Sequence, residues 1–214
     1  ACHASGIRTI AVSNGYVCPQ PRAEFFGHID AVNIDLKAFD DAFYRKLCGA
    51  RLAPVLETLE YLVHETAVWV EITNLVIPGE NDTDREFERM TRWIAANLGV
   101  DVPLHFSAFF PAWKMLDHPP TPLATLRRAR EIARANGLHY VYTGNVSDPE
   151  GGATYCPACG EVVIGRQGYR LGDWRLRAGS EGASCAACGA AVAGVFEAQP
   201  GDWGGRRRCV HPAH

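Results

Sequence analysis

The sequence lacks a long hydrophobic run, and no stretch approaches the ~18 apolar residues that a transmembrane helix needs. Its amino end also has no basic stretch followed by an apolar one, the pattern of a secretory signal. A strong excess of one charge sign is missing as well, since the 214 residues carry a formal net charge of −3. No general attraction to nucleic acid follows from that balance. These absences predict a cytoplasmic protein that neither enters a membrane nor binds nucleic acid.

What is present is a regular alternation of strand and helix patterns between residues 7 and 145. Five segments have the pattern of strands: RTIAVSNG, AVNIDLKAF, VWVEITNLVIPG, PLHFSAFFP and HYVYTGN. Helices are predicted between them, one opened by a Thr83-x-x-Glu86 capping box and another by Thr121 as N-cap. A third helix is predicted to bury Leu56, Leu59 and Val63. Repeated β-α units predict a parallel sheet of the α/β class, and five strands are too few for a complete eight-stranded barrel.

After Pro149 the residue composition changes, and the sequence becomes rich in glycine and loses helical periodicity. We therefore predict three parts: a partial (β/α) barrel over residues 1–148, a small cysteine-rich domain over 149–200, and a disordered tail over 201–214.

Two C-x-x-C-G turns give the cysteine-rich domain its chemistry. Two thiolates three positions apart on a tight turn can reach one metal ion, and two such turns complete a tetrahedral site. The predicted zinc ligands are Cys156, Cys159, Cys185 and Cys188. The alternative, redox dithiols or disulfides, is disfavoured by a cytosolic setting and by the small core between the turns, for which Trp174 and Tyr169 are the candidates. The other cysteines, Cys2, Cys18, Cys48 and Cys209, show no ligand spacing and are expected to be buried or incidental thiols.

Polar side chains recur on one face of the predicted strands. In the second strand Asn33, Asp35 and Lys37 alternate with apolar residues. The same reading groups Glu71 with Thr73, His105 with Ser107, and Ser13 with Thr9 and Ala11. Burying such charges without partners would cost several kcal/mol each. The pattern therefore predicts a lined cavity for a polar ligand of mixed charge, and the alternative is an internal Asp35–Lys37 ion pair without a ligand.

Specific motifs resemble a known family. The segments VSNGY, VNIDLKAF and VWVEITNLVIPGENDTD are similar to the later half of the radical S-adenosylmethionine (SAM) core in enzymes of the pyruvate formate-lyase activating type. Within that group PLHFSAFFPAWKML, YVYTGNV and TYCPACG resemble the radical SAM enzyme of the AmmeMemoRadiSam system, over nearly all of residues 1–205. The implied fold is the C-terminal half of an incomplete (β/α) radical SAM barrel followed by a zinc ribbon.

The resemblance implies that SAM lies across the polar face at the strand ends. Asp35 and Lys37 match the family's Asp-Leu-Lys strand end, and Ser13 and Asn14 match its Asn-Gly strand end. The full set of SAM contacts expected from the resemblance and from the polar faces is Ser13, Asn14, Asp35, Lys37, Glu71, Thr73, His105 and Ser107. The arginine that activating enzymes carry near Glu71 and Thr73 is absent.

The implied activity is reductive cleavage of SAM to a 5′-deoxyadenosyl radical that abstracts hydrogen from a substrate the sequence does not reveal. The implied cofactors are SAM, zinc and a [4Fe-4S] cluster, but the family's C-x-x-x-C-x-x-C cluster loop occurs nowhere in the sequence. Because the chain also begins with Ala1, we expect a C-terminal fragment that is inactive alone. The family name points to AMMECR- and Memo-like proteins as partners.

Two other functions compete with this one. A zinc-ribbon module on a degenerate α/β scaffold could bind protein or nucleic acid through Arg206, Arg207 and Arg208, although a binding module has no need of a polar sheet face. An aldolase-like barrel could use Lys37 as a Schiff-base amine. The neighbouring Asp35 opposes the depressed pKa that such a lysine needs. No catalytic residue is assigned.

Overall fold

A computed structural model describes residues 2–168, 170–179 and 182–201, and divides the chain into two compact units, residues 1–146 and 147–214. All five predicted strands are present in the first unit, as β1 (Ile10–Ser13), β2 (Ala31–Asp35), β3 (Trp69–Val76), β4 (Leu104–Ala108) and β5 (Val141–Gly144). They form one sheet in the order β1-β2-β3-β4-β5, and every neighbouring pair is parallel. The sheet therefore has the sequential order of a barrel segment, as predicted.

Helices connect successive strands. They are α1 (Pro19–Phe26), α2 (Asp41–Phe43), α3 (Ala53–Glu65), α4 (Asp84–Asn97) and α5 (Leu123–Ala135), with a π-helix over Tyr44–Cys48 directly after α2 and a 3₁₀-helix over His3–Ser5 before β1. Within the described ranges, no helix is both long and apolar enough to cross a membrane.

The predicted capping box of α4 is half formed. Thr83 Oγ1 accepts the Glu86 backbone N–H at 3.2 Å, as an N-cap does. The Glu86 carboxylate does not return to Thr83 and instead accepts the backbone N–H of Phe39, beyond the end of β2. The glutamate thus ties α4 to the second strand.

The prediction that Thr121 caps α5 is wrong, since Pro122 occupies the N-cap position. The Thr121 hydroxyl donates to the Val76 carbonyl at 2.5 Å and accepts the Phe109 N–H at 2.9 Å. This residue therefore joins the ends of β3 and β4, where buried backbone groups need partners.

The core lies between one face of the sheet and the helices. Ile34, Ile72, Leu104 and Phe106 are fully buried on the sheet side, and α4 contributes Phe87, Met90 and Ile94. In α3 the predicted face is only partly right. Leu59 is buried, but its buried neighbours are Val55 and Leu62, whereas Leu56 and Val63 are half-buried.

The second unit contains a short helix, α6 (Pro149–Gly152), and two three-stranded antiparallel sheets. One sheet comprises β6 (Thr154–Tyr155), β7 (Val162–Gln167) and β8 (Arg170–Trp174). The other comprises β9 (Leu176–Gly179), β10 (Gly182–Cys185) and β11 (Ala191–Val192).

Trp174, one of the two aromatic residues predicted for the core of this unit, is half-buried and contacts another half-buried aromatic ring. Trp174 meets Phe196 edge to face, with ring centroids 6.5 Å apart. Tyr169 lies outside the described residues, as do Arg206, Arg207, Arg208 and Cys209.

Candidate functional site

The strand register brings several predicted site residues into rows across the sheet. Asp35 pairs with Thr73, Thr73 with His105, and His105 with Tyr142. Ser107 lies one row nearer the carboxyl ends, beside Leu75 and Gly144. Residues level with each other on neighbouring strands project from the same face. One face of the sheet therefore carries a continuous polar row near the strand ends, where parallel α/β sheets bind ligands.

This polar face is accessible to solvent. The side chains of Asp35, Lys37, Glu71 and His105 are between 26% and 37% exposed. The residues that alternate with them in β2 and β3 are buried in the helix-covered core. These polar side chains are therefore half-buried on the sheet face that lies opposite the helices, and the lined cavity stays a prediction.

Asp35 and Lys37 form an ion pair on this face. Lys37 Nζ lies 3.0 Å from Asp35 Oδ2. A pair this accessible to solvent contributes about 0–1 kcal/mol to stability. The contact matches the ion pair expected in the absence of a ligand, but its small stabilising value leaves both charges available to a ligand that replaces it.

A second group of polar side chains surrounds Glu71. Its carboxylate accepts the Trp69 indole N–H at 3.1 Å and contacts His105 Nε2 at 2.8 Å. The His105 ring stacks on Tyr142, with centroids 4.9 Å apart and ring planes at 23°. Glu71 and Tyr142 therefore fix the His105 ring on the polar face.

The expectation that Ser13 shares this face is wrong. Ser13 pairs in register with Ile34, on the helix-covered side, while Val12 pairs with Asn33 on the polar side. Val12 is 79% exposed there and Ile10 is 72% exposed. Ala11, on the other face of β1, packs against the core. Because β1 is an edge strand, Ile10 and Val12 on the polar side have little covering them.

Asn14 follows β1 in the predicted Asn-Gly turn and is exposed. Its Oδ1 accepts the Tyr16 N–H at 3.0 Å. Gly15 has φ +70°, and a Cβ at this position would lie 2.9 Å from Ile34 Cγ2. Glycine is therefore required both by the left-handed backbone and by the close approach to β2.

Sequence reasoning missed two buried asparagines, Asn74 and Asn81, which are 1% and 2% exposed. Both side chains donate to the Lys37 carbonyl, at 3.1 and 2.7 Å. The sequence pattern could have revealed Asn74, because it is a polar residue on the apolar face of β3. A buried polar side chain needs hydrogen-bond partners.

The four predicted metal-binding cysteines come together in the second unit. Their sulfur atoms all lie within 4.8 Å of one another, with Cys156 to Cys188 at 3.6 Å and Cys159 to Cys185 at 3.8 Å. A regular tetrahedron with zinc–sulfur bonds of about 2.3 Å has sulfur–sulfur edges of about 3.8 Å. The geometry therefore fits a single tetrahedral ion, zinc or iron.

Backbone groups of the first turn favour a thiolate at Cys156. Burial by itself raises the pKa of Cys156, but N–H groups of Cys159 and Ala158 donate to its sulfur and lower the pKa to about 7. At Cys159 the Glu161 N–H lowers the pKa, but burial and hydrogen bonds with the other three thiols raise it above its usual range.

All seven cysteines of the described ranges are free thiols, so the disulfide alternative finds no support among them. Cys2, Cys18 and Cys48 are exposed and belong to no metal-ligand group within those ranges, so of the two expectations, buried or incidental thiols, the structure agrees with the second.

The residues present do not fit a SAM-binding [4Fe-4S] cluster. Such a cluster needs three thiolates from a C-x-x-x-C-x-x-C loop and an open iron, and the sequence has no such loop. The four-cysteine group, by contrast, is a closed set of two C-x-x-C turns.

Comparison with known proteins gives one sequence relative. No family model matches the chain. It is 44% identical over 162 residues to the uncharacterized protein MJ0808 of Methanocaldococcus jannaschii, a match that covers 76% of this chain and 47% of that protein. The chain thus spans about half the length of the curated relative it matches.

Solved structures match at lower identity. A domain of the pyruvate-formate lyase-activating enzyme from Bacteroides vulgatus superposes with a TM-score of 0.59 at 16% identity, over 67% of this chain and 85% of that one. A radical SAM methyltransferase from Sphaerobacter thermophilus gives 0.53 at 17% identity, over 65% and 41%. The parallel sheet therefore has the fold of radical SAM domains, and the second unit carries a four-cysteine group compatible with a zinc ribbon.

Proposed function

We propose that this chain supplies the SAM-binding sheet of a radical SAM enzyme. The observation that carries the proposal is the Asp35–Lys37 pair, with nitrogen and oxygen 3.0 Å apart, on the polar face at the carboxyl end of a parallel sheet. A half-buried acid and amine side by side suit a ligand that itself carries a carboxylate, an ammonium and a sulfonium.

In this proposal each charge exchanges its intramolecular partner for one on the ligand. The Lys37 ammonium donates to the carboxylate of SAM, and the Asp35 carboxylate accepts from its ammonium. Thr73 and His105 lie in the same row as Asp35. Since neighbouring strands are about 5 Å apart, the row extends about 10 Å from Asp35 to His105. Glu71 and Ser107 border this row, and their contacts with SAM stay predictions.

In radical SAM enzymes a [4Fe-4S] cluster supplies the electron that cleaves SAM and yields a 5′-deoxyadenosyl radical. We assign to this chain only the binding and orientation of SAM, because its cysteines do not fit that cluster. Hydrogen abstraction from a substrate is proposed for a polypeptide or complex that combines this sheet with the cluster. The assignment to the AmmeMemoRadiSam group and its AMMECR- and Memo-like partners stays a prediction.

We further propose that the four-cysteine group binds zinc. Four thiolates in tetrahedral positions leave no open coordination site, which is typical of a structural rather than a catalytic ion. The zinc would hold together a unit built from two short sheets.

The test is the affinity for SAM, measured by isothermal titration calorimetry on the longest polypeptide that contains this sequence. Lys37→Met keeps the length of the side chain but removes a charge-assisted hydrogen bond worth about 1.5–3 kcal/mol, so the affinity should fall roughly tenfold to a hundredfold. Asp35→Asn should also weaken binding if the charge is what matters.

Arg92→Met is the matched control, because it removes another ion pair, with Glu88 at 2.7 Å on α4, away from the polar face. Its affinity for SAM should equal that of the wild type. If both Lys37→Met and Asp35→Asn bind SAM as the wild type does, the pair is only an internal ion pair and the proposal is wrong.

A further inference from the structure

The chain continues in a buried path after β2 ends. Strand pairing stops at Asp35, yet Leu36 and Ala38 are 0% exposed. Their backbone polar groups and those of Lys37 are removed from much of the solvent and need hydrogen-bond partners. One ladder bond persists, from Leu36 N–H to the Thr73 carbonyl at 3.0 Å. Side chains from other elements supply partners for the rest of the path.

Asn74 supplies the first partners. Its Nδ2 donates to the Leu36 carbonyl at 2.8 Å and to the Lys37 carbonyl at 3.1 Å. The side chain lies on the helix-covered face of β3, between Ile72 and Val76 in the alternation. Within the described residues only the Nδ2 group is hydrogen-bonded, and the buried Oδ1 has no hydrogen-bond partner. The two carbonyls therefore provide the hydrogen bonds that hold this buried amide in place.

Asn81 and Tyr44 complete the set. Asn81 Nδ2 donates to the Lys37 carbonyl at 2.7 Å and to the Leu75 carbonyl at 3.0 Å, while its Oδ1 accepts the Ile77 N–H at 2.7 Å. The Tyr44 hydroxyl, at the start of the π-helix, accepts the Lys37 N–H at 3.1 Å. We call Asn74, Asn81 and Tyr44 the strand-end network.

This network fixes both backbone polar groups of Lys37. Its carbonyl receives two amide donors and its N–H has a phenol acceptor, so the backbone cannot turn without breaking buried hydrogen bonds. The direction of the Cα–Cβ bond follows from the backbone, and only the flexible stem of the side chain remains free. The ammonium is thereby kept on the same face as Asp35, 3.0 Å away.

We infer that Asn74 and Asn81 are positioning residues that orient Lys37 toward SAM. The inference rests on the proposed function, in which Lys37 contacts SAM. Both asparagines are buried, so we expect neither to touch the ligand. Replacing either asparagine should therefore weaken SAM binding only by changing the orientation of Lys37. A double-mutant cycle with Lys37→Met measures how far the effect depends on Lys37.

The variant is Asn74→Leu, which removes both donors and leaves an apolar side chain of similar size. Its affinity for SAM should fall roughly threefold to tenfold, which is part of the loss caused by Lys37→Met. In the Lys37→Met background the same substitution should change the affinity by less than about twofold. A purely structural residue would instead weaken both backgrounds by the same factor.

Thr91→Val is the matched control for lost buried hydrogen bonds. Thr91 is 0% exposed on α4, and its hydroxyl donates to the Phe87 carbonyl at 2.7 Å and accepts from Asn136 at 2.8 Å. It should lower the melting temperature as Asn74→Leu does, while SAM affinity stays unchanged. Hydrogen exchange of the Lys37 and Phe39 amides should accelerate only in Asn74→Leu.

Asn81→Asp is the second variant, in case Asn74→Leu does not fold. It keeps the Oδ1 acceptor for Ile77 and removes the donors to Lys37 and Leu75, and its effect should also vanish in the Lys37→Met background. If Lys37→Met lowers the affinity but the asparagine variants bind as the wild type or act additively, the positioning role is overturned and the proposed function stands. If Lys37→Met itself binds SAM normally, the proposed contact is wrong and the positioning role falls with it.

Discussion

Replacement of Cys185 by serine should remove the metal from the second unit and unfold that unit. Cys185 is 0% exposed, and its sulfur lies 3.8 Å from that of Cys159, close to the edge length of about 3.8 Å expected for tetrahedral zinc. Serine keeps the size of the side chain but supplies a far weaker ligand for zinc. The remaining three thiolates cannot close the site.

The size of the effect follows from how little else stabilises this unit. Its buried large aliphatic side chains within the described ranges are Val163, Ile164, Leu176 and Val192. A structural zinc ion contributes about 10–16 kcal/mol of binding free energy at neutral pH, and this is also folding free energy. Loss of the site therefore removes a contribution about as large as the whole stability of an ordinary small domain, which is about 5–15 kcal/mol.

The assay combines elemental analysis with hydrogen exchange. Wild-type protein purified without chelator should contain about one zinc per chain, and Cys185→Ser should contain little. Amides in β7 and β10 should lose protection in the variant, while those in β2 and β3 keep it. Cys18→Ser is the control, since Cys18 is exposed in the first unit and belongs to no described metal-ligand group. Less than about half an equivalent of zinc in the wild type would refute the zinc assignment, and stoichiometric iron would replace it with an iron site.

Three further outcomes are expected. Burial raises the pKa of Glu86, whose carboxylate accepts a backbone N–H, so Glu86→Gln should be at least as stable as the wild type at pH 7 in urea unfolding. Glu86→Ala should lose about 1–3 kcal/mol, and equal losses in both variants would contradict this account. Hydrogen bonds to Asp117 and then Glu80 raise the pKa of His118, so its stabilisation of the loop after β4 is present below pH ~6.5 and disappears as pH rises through the raised pKa. Proteolysis of the loop should therefore increase from pH 6 to pH 9 in the wild type, whereas an equal increase in His118→Gln would exclude this role. Val12, 79% exposed on the edge strand, should tolerate lysine within about 0.5 kcal/mol. We expect the edge of β1 that is unpaired within the described residues to promote self-association. Val12→Lys should reduce it in size-exclusion chromatography, and an unchanged elution profile would argue against association through β1.

The buried and solvent-facing sides of the central strands could be predicted from the sequence, because apolar and polar residues alternate along a strand that is covered on one face. In β2 and β3 the residues that alternate with Asp35 and Thr73 are the buried ones, and the structure follows that pattern. The same reasoning failed at β1, where Ile10 and Val12 are exposed and Ala11 packs inward. An edge strand has no covering layer on one side, and the sequence pattern does not reveal which side that is.

Long-range partners could not be predicted from local patterns. Thr121 has the local sequence of a helix cap, yet its hydroxyl joins β3 to β4 because those backbone groups are buried nearby. The alternation of β3 places Asn74 on the core side but does not identify its hydrogen-bond partners. These are the carbonyls of Lys37 and Leu36, which lie 37 and 38 residues earlier in the chain. The cluster that contains Cys156 and Cys188 could be predicted from sequence spacing. Metal geometry constrains the number of residues between the two cysteines of each turn, and the sequence contains two such turns.

The most direct measurement of the central claim is an NMR titration of the polypeptide with SAM, with resonances of the first unit assigned. The account predicts the largest shifts at Asp35, Lys37, Thr73 and His105 on the polar face. Resonances of Ile34 and Phe87, on the helix-covered side, should move little. Saturable shifts confined to the helix-covered side, or no shifts at millimolar SAM in a polypeptide that also carries the cluster, would contradict it.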